Sequence, residues 1–143
     1  MNNYLSNTEM ASLVEAIKQA ENQSTGEIRV HIDSTSVDNN AKVAFDVFKK
    51  LGMDQTKERN AVLFHVNFEQ HYLTIIGDAG IHQKVHQNFW DQLHDQITAE
   101  FAKGNYHDGL RNAILKTGFE LKKHFPVSGE NHNELSNEIT FSK

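Results

Sequence analysis

The strongest constraint on the fold is a β-hairpin, predicted in the middle of the chain by two apolar runs. The runs are residues 61–66 and 72–76, and a short polar segment between them supplies the turn. A hairpin returns its second strand to the level at which its first strand began. The sequence therefore predicts that Arg59 and Asn60, just before the hairpin, meet Asp78, just after it, at one edge of a sheet.

A third segment reaches the same edge through the strand–helix–strand unit that precedes the hairpin. Residues 27–33 alternate polar and apolar side chains, which is typical of a strand, and residues 41–51 have the pattern of an amphipathic helix. Such a crossover is right-handed and makes its two strands parallel. Because parallel strands begin at the same edge, we expect Glu27 to join Asn60 and Asp78 there.

Helical periodicity predicts three further helices. The first runs from about residue 7 to about residue 22 and begins with a capping box at Ser6, and the other two lie between Gly80 and Pro126. The order of elements is then α-β-α-β-β-α-α. This order predicts an α/β sandwich with a small mixed sheet and helices on its faces.

Composition and charge exclude several classes of protein. The 143 residues are most simply one domain over residues 1–126, followed by a polar tail, residues 127–143, that we expect to be mobile. A net charge of −5 argues against nucleic-acid binding, and the absence of cysteine excludes disulfides and cysteine nucleophiles. No signal peptide is visible, and no apolar stretch approaches the roughly 20 residues that span a bilayer. We therefore expect a soluble, cytoplasmic protein without a membrane span.

Oxygen-bearing side chains at the predicted edge form a candidate site for a divalent cation. Ca²⁺ takes about six to eight oxygen ligands, and Mg²⁺ also prefers oxygen. Glu27, Asn60 and Asp78 would supply two carboxylates and an amide oxygen. A structural alternative stays open, in which Asp78 caps the turn or the following helix and Arg59 pairs with Glu27.

The opposite edge of the sheet offers a second-ranked cation site. Ligands of parallel α/β sheets usually bind at the carboxyl ends of the strands, where this sequence places Asp33 and Asp38. His82 and His86 have an i, i+4 spacing that can bind zinc, but no carboxylate completes a metalloprotease motif. We interpret these histidines as a surface pair.

Four motifs resemble the TPM domain family in order and spacing. They are Thr25-Gly26-Glu27-Ile28-Arg29-Val30, Arg59-Asn60-Ala61-Val62-Leu63, Gly77-Asp78-Ala79-Gly80-Ile81, and the run from Phe101 to Leu110. The resemblance covers roughly residues 5–126 and implies a Rossmann-like α/β sandwich. It also implies divalent-cation binding, calcium in particular, because several members bind such ions. Plant relatives in the thylakoid are linked to acid phosphatase activity and photosystem repair.

The resemblance predicts a short, soluble, stand-alone bacterial form of that family. We expect it to be without the signal peptide, transmembrane segment and glycine-rich tail of the longer members. Gln87 stands where many of those members carry an acidic residue. These departures argue against a membrane role and against a direct transfer of the phosphatase activity.

Three functions follow as hypotheses. The first is a binding or regulatory module that holds Ca²⁺ or Mg²⁺ at Glu27, Asn60 and Asp78. The second is a metal-assisted phosphatase for a phosphate-containing small molecule, in which water attacks and Arg59 and Asp78 are the candidate catalytic residues. The third is a metal-independent module that docks a protein partner through its acidic surface or its tail.

Overall fold

A four-stranded mixed sheet forms the centre of the fold. The computed structural model describes residues 4–34, 38–127 and 139–142. The strands are β1 (Glu27–Asp33), β2 (Ala61–Asn67), β3 (Tyr72–Gly77) and β4 (Thr140–Ser142), and they lie in the order β3-β2-β1-β4. Strand β2 is parallel to β1 and antiparallel to β3, as the predicted crossover and hairpin require. The predicted α/β fold class is confirmed.

Helices cover both faces of this sheet. They are α1 (Asn7–Glu21), α2 (Asn40–Lys50), α3 (Ala79–Ala102) and α4 (Tyr106–His124), with one turn of 3₁₀ helix at Met53–Gln55. Helices α1, α3 and α4 pack over the larger apolar core, whereas α2 packs over a smaller one. None of the helices in the described part of the chain is long and apolar enough to cross a membrane.

The helix ends follow the capping signals in the sequence. The Ser6 hydroxyl accepts from the Glu9 amide at 3.0 Å, and the Glu9 carboxylate accepts from the Ser6 amide at 2.9 Å, which completes the predicted capping box. Asn39 caps α2 through the Lys42 amide. Gly52 follows α2 with a φ of 72°, a left-handed conformation that glycine adopts at little cost.

Strand β1 is buried along its whole length, although every second residue is polar. Ile28, Val30 and Ile32 belong to the larger core, as the alternation predicts. The residues between them are polar and are buried as well; they are Glu27, Arg29, His31 and Asp33. Because a buried polar group must be paired or neutralised, this polar row needs partners that periodicity alone does not reveal.

The described end of the predicted tail forms β4. Residues 128–138 and 143 lie outside the described residues. Thr140–Ser142 pairs in parallel with the end of β1, and His31 bridges the two strands. Its Nδ1 lies 2.7 Å from the Thr140 hydroxyl and its Nε2 lies 2.5 Å from the Ser142 hydroxyl. Three residues are too few to show a strand period, so the sequence does not predict β4.

Strand β3 lies at the opposite edge of the sheet. Helices α2 and α3 lie against it, in agreement with the prediction that it is covered on both faces. Four of its six residues are nevertheless only half-buried, because the strand has a neighbour on one side alone. At the outer edge, the His94 Nε2 lies 3.0 Å from the Leu73 carbonyl oxygen.

Helix α3 contains a sharp break at His86. This residue has φ 67° and ψ 169°, a region of the backbone map that is almost restricted to glycine. His82 and His86 are both exposed, in agreement with their interpretation as surface residues. His82 accepts a hydrogen bond at its Nδ1 from the Trp90 indole nitrogen, 3.0 Å away.

Replacing His86 by glycine tests this backbone strain. We expect His86→Gly to raise the free energy of unfolding in urea by about 1 kcal/mol, because glycine tolerates the positive φ. Gln92→Gly is the matched control on an exposed, regular turn of α3, where glycine should cost about 1 kcal/mol. Equal destabilisation by the two substitutions would contradict the strain at His86.

Candidate functional site

The backbone brings the three predicted segments to one edge of the sheet. Glu27 stands opposite Ala61 in the parallel register, and its amide points to the Asn60 carbonyl oxygen at 3.5 Å. The Asp78 amide donates to the Ala61 carbonyl oxygen at 2.9 Å. Topology therefore places Glu27, Asn60 and Asp78 at the same edge, as the hairpin and the crossover predict. Their side chains, however, have different partners.

The Asp78 carboxylate is bound by Arg59 and by the start of α3. Arg59 donates to it twice, from Nε at 2.6 Å and from a terminal nitrogen at 2.8 Å, and the Ala79 amide donates at 2.8 Å. These hydrogen bonds, together with the charge of Asp78, raise the pKa of the Arg59 guanidinium. Asp78 thus caps the helix, as the structural alternative proposes, but Arg59 pairs with Asp78 and not with Glu27.

The backbone of Arg59 completes this arrangement. Its φ is 53°, and its carbonyl oxygen accepts from the amides of Gly80, at 2.7 Å, and Ile81, at 3.3 Å. A Cβ atom at Gly80 would lie 2.1 Å from the Glu58 carbonyl oxygen, so only glycine fits. We call Arg59, Asp78 and Gly80 the clasp. The clasp satisfies the first amides of α3 with groups of the protein itself.

Asn60 connects the loops that precede β1 and β2. It is fully buried, and its Nδ2 donates to the Thr25 hydroxyl at 3.0 Å. The Thr25 hydroxyl donates in turn to the Glu58 carboxylate at 2.5 Å. The backbone amide of Asn60 donates to the Thr56 hydroxyl at 3.3 Å. Its side chain is therefore held by neighbouring polar groups of the same edge.

Glu27 lies beside a second buried carboxyl group, that of Glu21 at the end of α1. Glu27 is 2% exposed and Glu21 is 7% exposed. The Glu21 carboxyl accepts from the Ile28 amide at 2.6 Å. Burial, followed by the charge of Glu27, raises the pKa of Glu21 to about 9. Glu21 therefore holds its proton more tightly than a free carboxyl group does, and the charge of the buried Arg29 opposes part of this rise in pKa.

Sequence reasoning missed Glu21, although a signal for it exists. Glu21 follows Ile17 by four residues and Leu13 by eight, so it lies on the apolar face of the helix. A carboxylate on a buried helix face needs a partner. That position, six residues before Glu27, could have pointed to the Glu21–Glu27 pair.

Asp33 and Asp38, the second-ranked candidate ligands for a cation, have different environments. Asp33 is buried at the end of β1, with its carboxylate 3.7 Å from the His65 Nε2, whereas Asp38 is exposed in the loop before α2. The rings of His65 and His31 stack, with centroids 5.5 Å apart. Burial lowers the pKa of both histidines, that of His31 to about 4, so both are neutral at neutral pH.

These observations limit what kind of metal centre the edge can form. Among residues 4–34, 38–127 and 139–142, no three His, Cys, Asp or Glu side chains form a group that could hold a metal ion. A cation at the Glu21–Glu27 pair would therefore take its remaining ligands from carbonyl groups, hydroxyl groups and water.

Comparison with known proteins supports a family assignment. The family model described as TPM domain matches residues 1–118. The solution structure of the BA42 protein from the psychrophilic bacterium Bizionia argentinensis is 39% identical, covers 99% of this chain and 98% of that one, and has a TM-score of 0.90. No curated protein matches the chain.

Two more distant structures share the fold alone. The N-terminal domain of a protein from P. gingivalis is 19% identical, with a TM-score of 0.72 over 89% of this chain and 84% of that one. The N-terminal domain of the cg2496 protein from Corynebacterium glutamicum is 12% identical, with a TM-score of 0.60 over 92% of this chain and 84% of that one.

Removing the Asp78 carboxylate tests the clasp. We expect Asp78→Ala to lower the free energy of unfolding by about 1–3 kcal/mol, because the helix loses its cap and Arg59 loses its partner. Asp46→Ala is the matched control, since it removes an exposed ion pair with Lys42 worth about 0.5 kcal/mol at most. Similar losses in urea denaturation of the two variants would contradict the role of the clasp.

The pH dependence of stability tests the protonated state of Glu21. Folding raises its pKa from 4.5 to about 9, so the folded protein binds this proton more tightly than the unfolded chain does. The free energy of unfolding should therefore fall as the pH rises through that window, by up to about 1.4 kcal/mol per pH unit.

The variant Glu21→Gln isolates the contribution of the Glu21 proton to the free energy of unfolding. Glu21→Gln keeps an oxygen for the Ile28 amide and has no proton to lose, so it should become more stable than wild type as the pH rises. Urea denaturation at several pH values measures the difference. Parallel profiles of the two proteins would show that Glu21 is ionised in the folded state.

Proposed function

Because this chain belongs to the TPM domain family, we propose that it is a module that binds a divalent cation through the carboxyl groups of Glu21 and Glu27. The ion is Ca²⁺ or Mg²⁺, both of which prefer oxygen ligands. One observation carries the proposal: the carboxyl groups of Glu21 and Glu27 are buried side by side, so the charge of Glu27 raises the pKa of Glu21.

A divalent cation can replace the proton on Glu21. It would stabilise both carboxylates at once, whereas the proton neutralises only one of them. The ion must displace the proton to bind, so its affinity should increase with pH. Glu58, Thr25 and Asn60 are at the same edge and add to the oxygen-bearing groups around the start of β1.

The contacts of the clasp favour the Glu21–Glu27 pair as the cation site over the triad of Glu27, Asn60 and Asp78. Both oxygens of Asp78 already accept hydrogen bonds from Arg59, and an ion bound there would compete with the guanidinium. Asp78 therefore serves better as a structural residue than as a metal ligand. Glu27 is the member of the predicted triad that retains a suitable chemical setting.

The same contacts favour a binding module over a phosphatase. The phosphatase hypothesis requires Arg59 to stabilise the charge of a phosphate group. Its Nε and one terminal nitrogen are instead directed at Asp78, which leaves a half-exposed guanidinium whose charge is paired. A nucleophile or general base close to these groups would be needed for hydrolysis, and Asp78 is engaged by the clasp.

Titration of the full chain with CaCl₂ and MgCl₂, followed by amide NMR, tests the proposal. We expect saturable shifts centred on Glu21, Glu27 and Ile28. Binding should tighten by up to about tenfold per pH unit between about pH 6 and about pH 8, because one proton is released.

Two substitutions separate the proposed site from non-specific attraction of the ion. Glu27→Gln should abolish the response, whereas Glu15→Gln, on the exposed face of α1, should leave it unchanged. A response that survives Glu27→Gln would overturn the proposal. Loss of binding in Asp78→Asn alone would support the original triad, and shifts centred on Asp33 would place the ion at the opposite edge.

A further inference from the structure

A cavity of about 470 Å³ opens at the other edge of the sheet, beside the carboxyl ends of β1 and β4. Its volume lies within the range of about 300–1,000 Å³ that small-molecule sites occupy. The carboxyl ends of parallel strands are also where α/β folds usually bind ligands. The cavity lies at the opposite end of β1 from the Glu21–Glu27 pair, so a ligand bound in it does not depend on the proposed cation site.

Aromatic rings form much of the cavity wall. Tyr4 and Phe68 stack with ring centroids 4.6 Å apart, and both line the cavity. Phe141 lines it from β4 and remains 51% exposed. An apolar body bound here would cover the exposed ring of Phe141, which favours binding through the hydrophobic effect.

The charged groups of the cavity are acidic. Asp33 and Glu69 line it, and no lysine, arginine or histidine is present among its described lining residues. The Asp33 carboxylate, however, lies 3.7 Å from the His65 Nε2, on the face of β1 opposite Ile32. The exposed Glu69 is therefore the carboxylate that a ligand in the cavity can reach.

We propose that this cavity binds a small organic ammonium ion, whose apolar body contacts Tyr4, Phe68 and Phe141 and whose charge lies near Glu69. Aromatic faces attract cations, and a carboxylate adds to that attraction. A bare metal ion fits less well, because it requires a shell of oxygens and the wall is largely aromatic. An organic anion is disfavoured by the Glu69 carboxylate.

Three ligands that share a phenethyl group and differ in charge test the proposal on the full chain. They are the phenethylammonium ion, neutral 2-phenylethanol and the anion 3-phenylpropionate, each titrated with amide NMR as the readout. We expect the ammonium ion to bind about tenfold more tightly than the alcohol, and the anion to bind most weakly. The shifts should centre on Ile32, Phe68 and Ser142, which line the cavity.

Two substitutions separate the contribution of the Glu69 charge to ligand binding from that of the apolar contact with Phe141. Glu69→Gln should reduce the preference for the ammonium ion over the alcohol and leave the alcohol affinity unchanged. Phe141→Ala should weaken the binding of both ligands, and its exposed side chain can be removed with little risk to folding. Glu15→Gln is the control for net charge. Thermal unfolding of each variant verifies that the fold is intact.

Several outcomes would overturn the proposal. Equal affinities for the three ligands would exclude recognition of positive charge. Shifts centred away from the cavity, or no saturable shift with the ammonium ion, would exclude the site itself. The CaCl₂ response of Glu69→Gln distinguishes the two proposals, because it should match wild type if the cation binds at Glu21 and Glu27.

Discussion

The ion pair between Arg59 and Asp78 is the interaction on which the arrangement of the chain most depends. It joins the residue that leads into β2 to the residue that follows β3, and so it closes the hairpin at its open end. The same carboxylate and the Arg59 carbonyl oxygen take up the first amides of α3. Because α3 packs against both the sheet and α4, this one pair connects the hairpin to the helical layer.

The clasp also determines where charge remains at this edge. A carboxylate that receives two hydrogen bonds from a guanidinium is close to neutral as a unit, although it lies where topology predicts a ligand. In the Glu21–Glu27 pair, by contrast, burial and the charge of Glu27 raise the pKa of Glu21. One edge thus contains a carboxylate paired with a guanidinium and a carboxyl group with a raised pKa.

The sequence was sufficient for β1, β2 and β3, for their directions and for the edge at which the segments meet. Period and chain order determine those features, and both are visible in one sequence. The choice of partner for Arg59 was not predictable, because Glu27 and Asp78 are both within the reach of a long side chain. Glu21 was hidden by its place at a helix end, and the break at His86 violates the local preference of its residue type.

The hydrogen bonds along the outer strands have a consequence for the solubility of the chain. On the β1 side, the Glu21 carboxyl occupies the Ile28 amide, and β4 pairs with the last three residues, His31 to Asp33. On the β3 side, His94 occupies the Leu73 carbonyl oxygen. Open strand edges recruit strands from other molecules and start aggregation. Side chains that occupy edge groups therefore act as a barrier to intermolecular β-pairing at those positions.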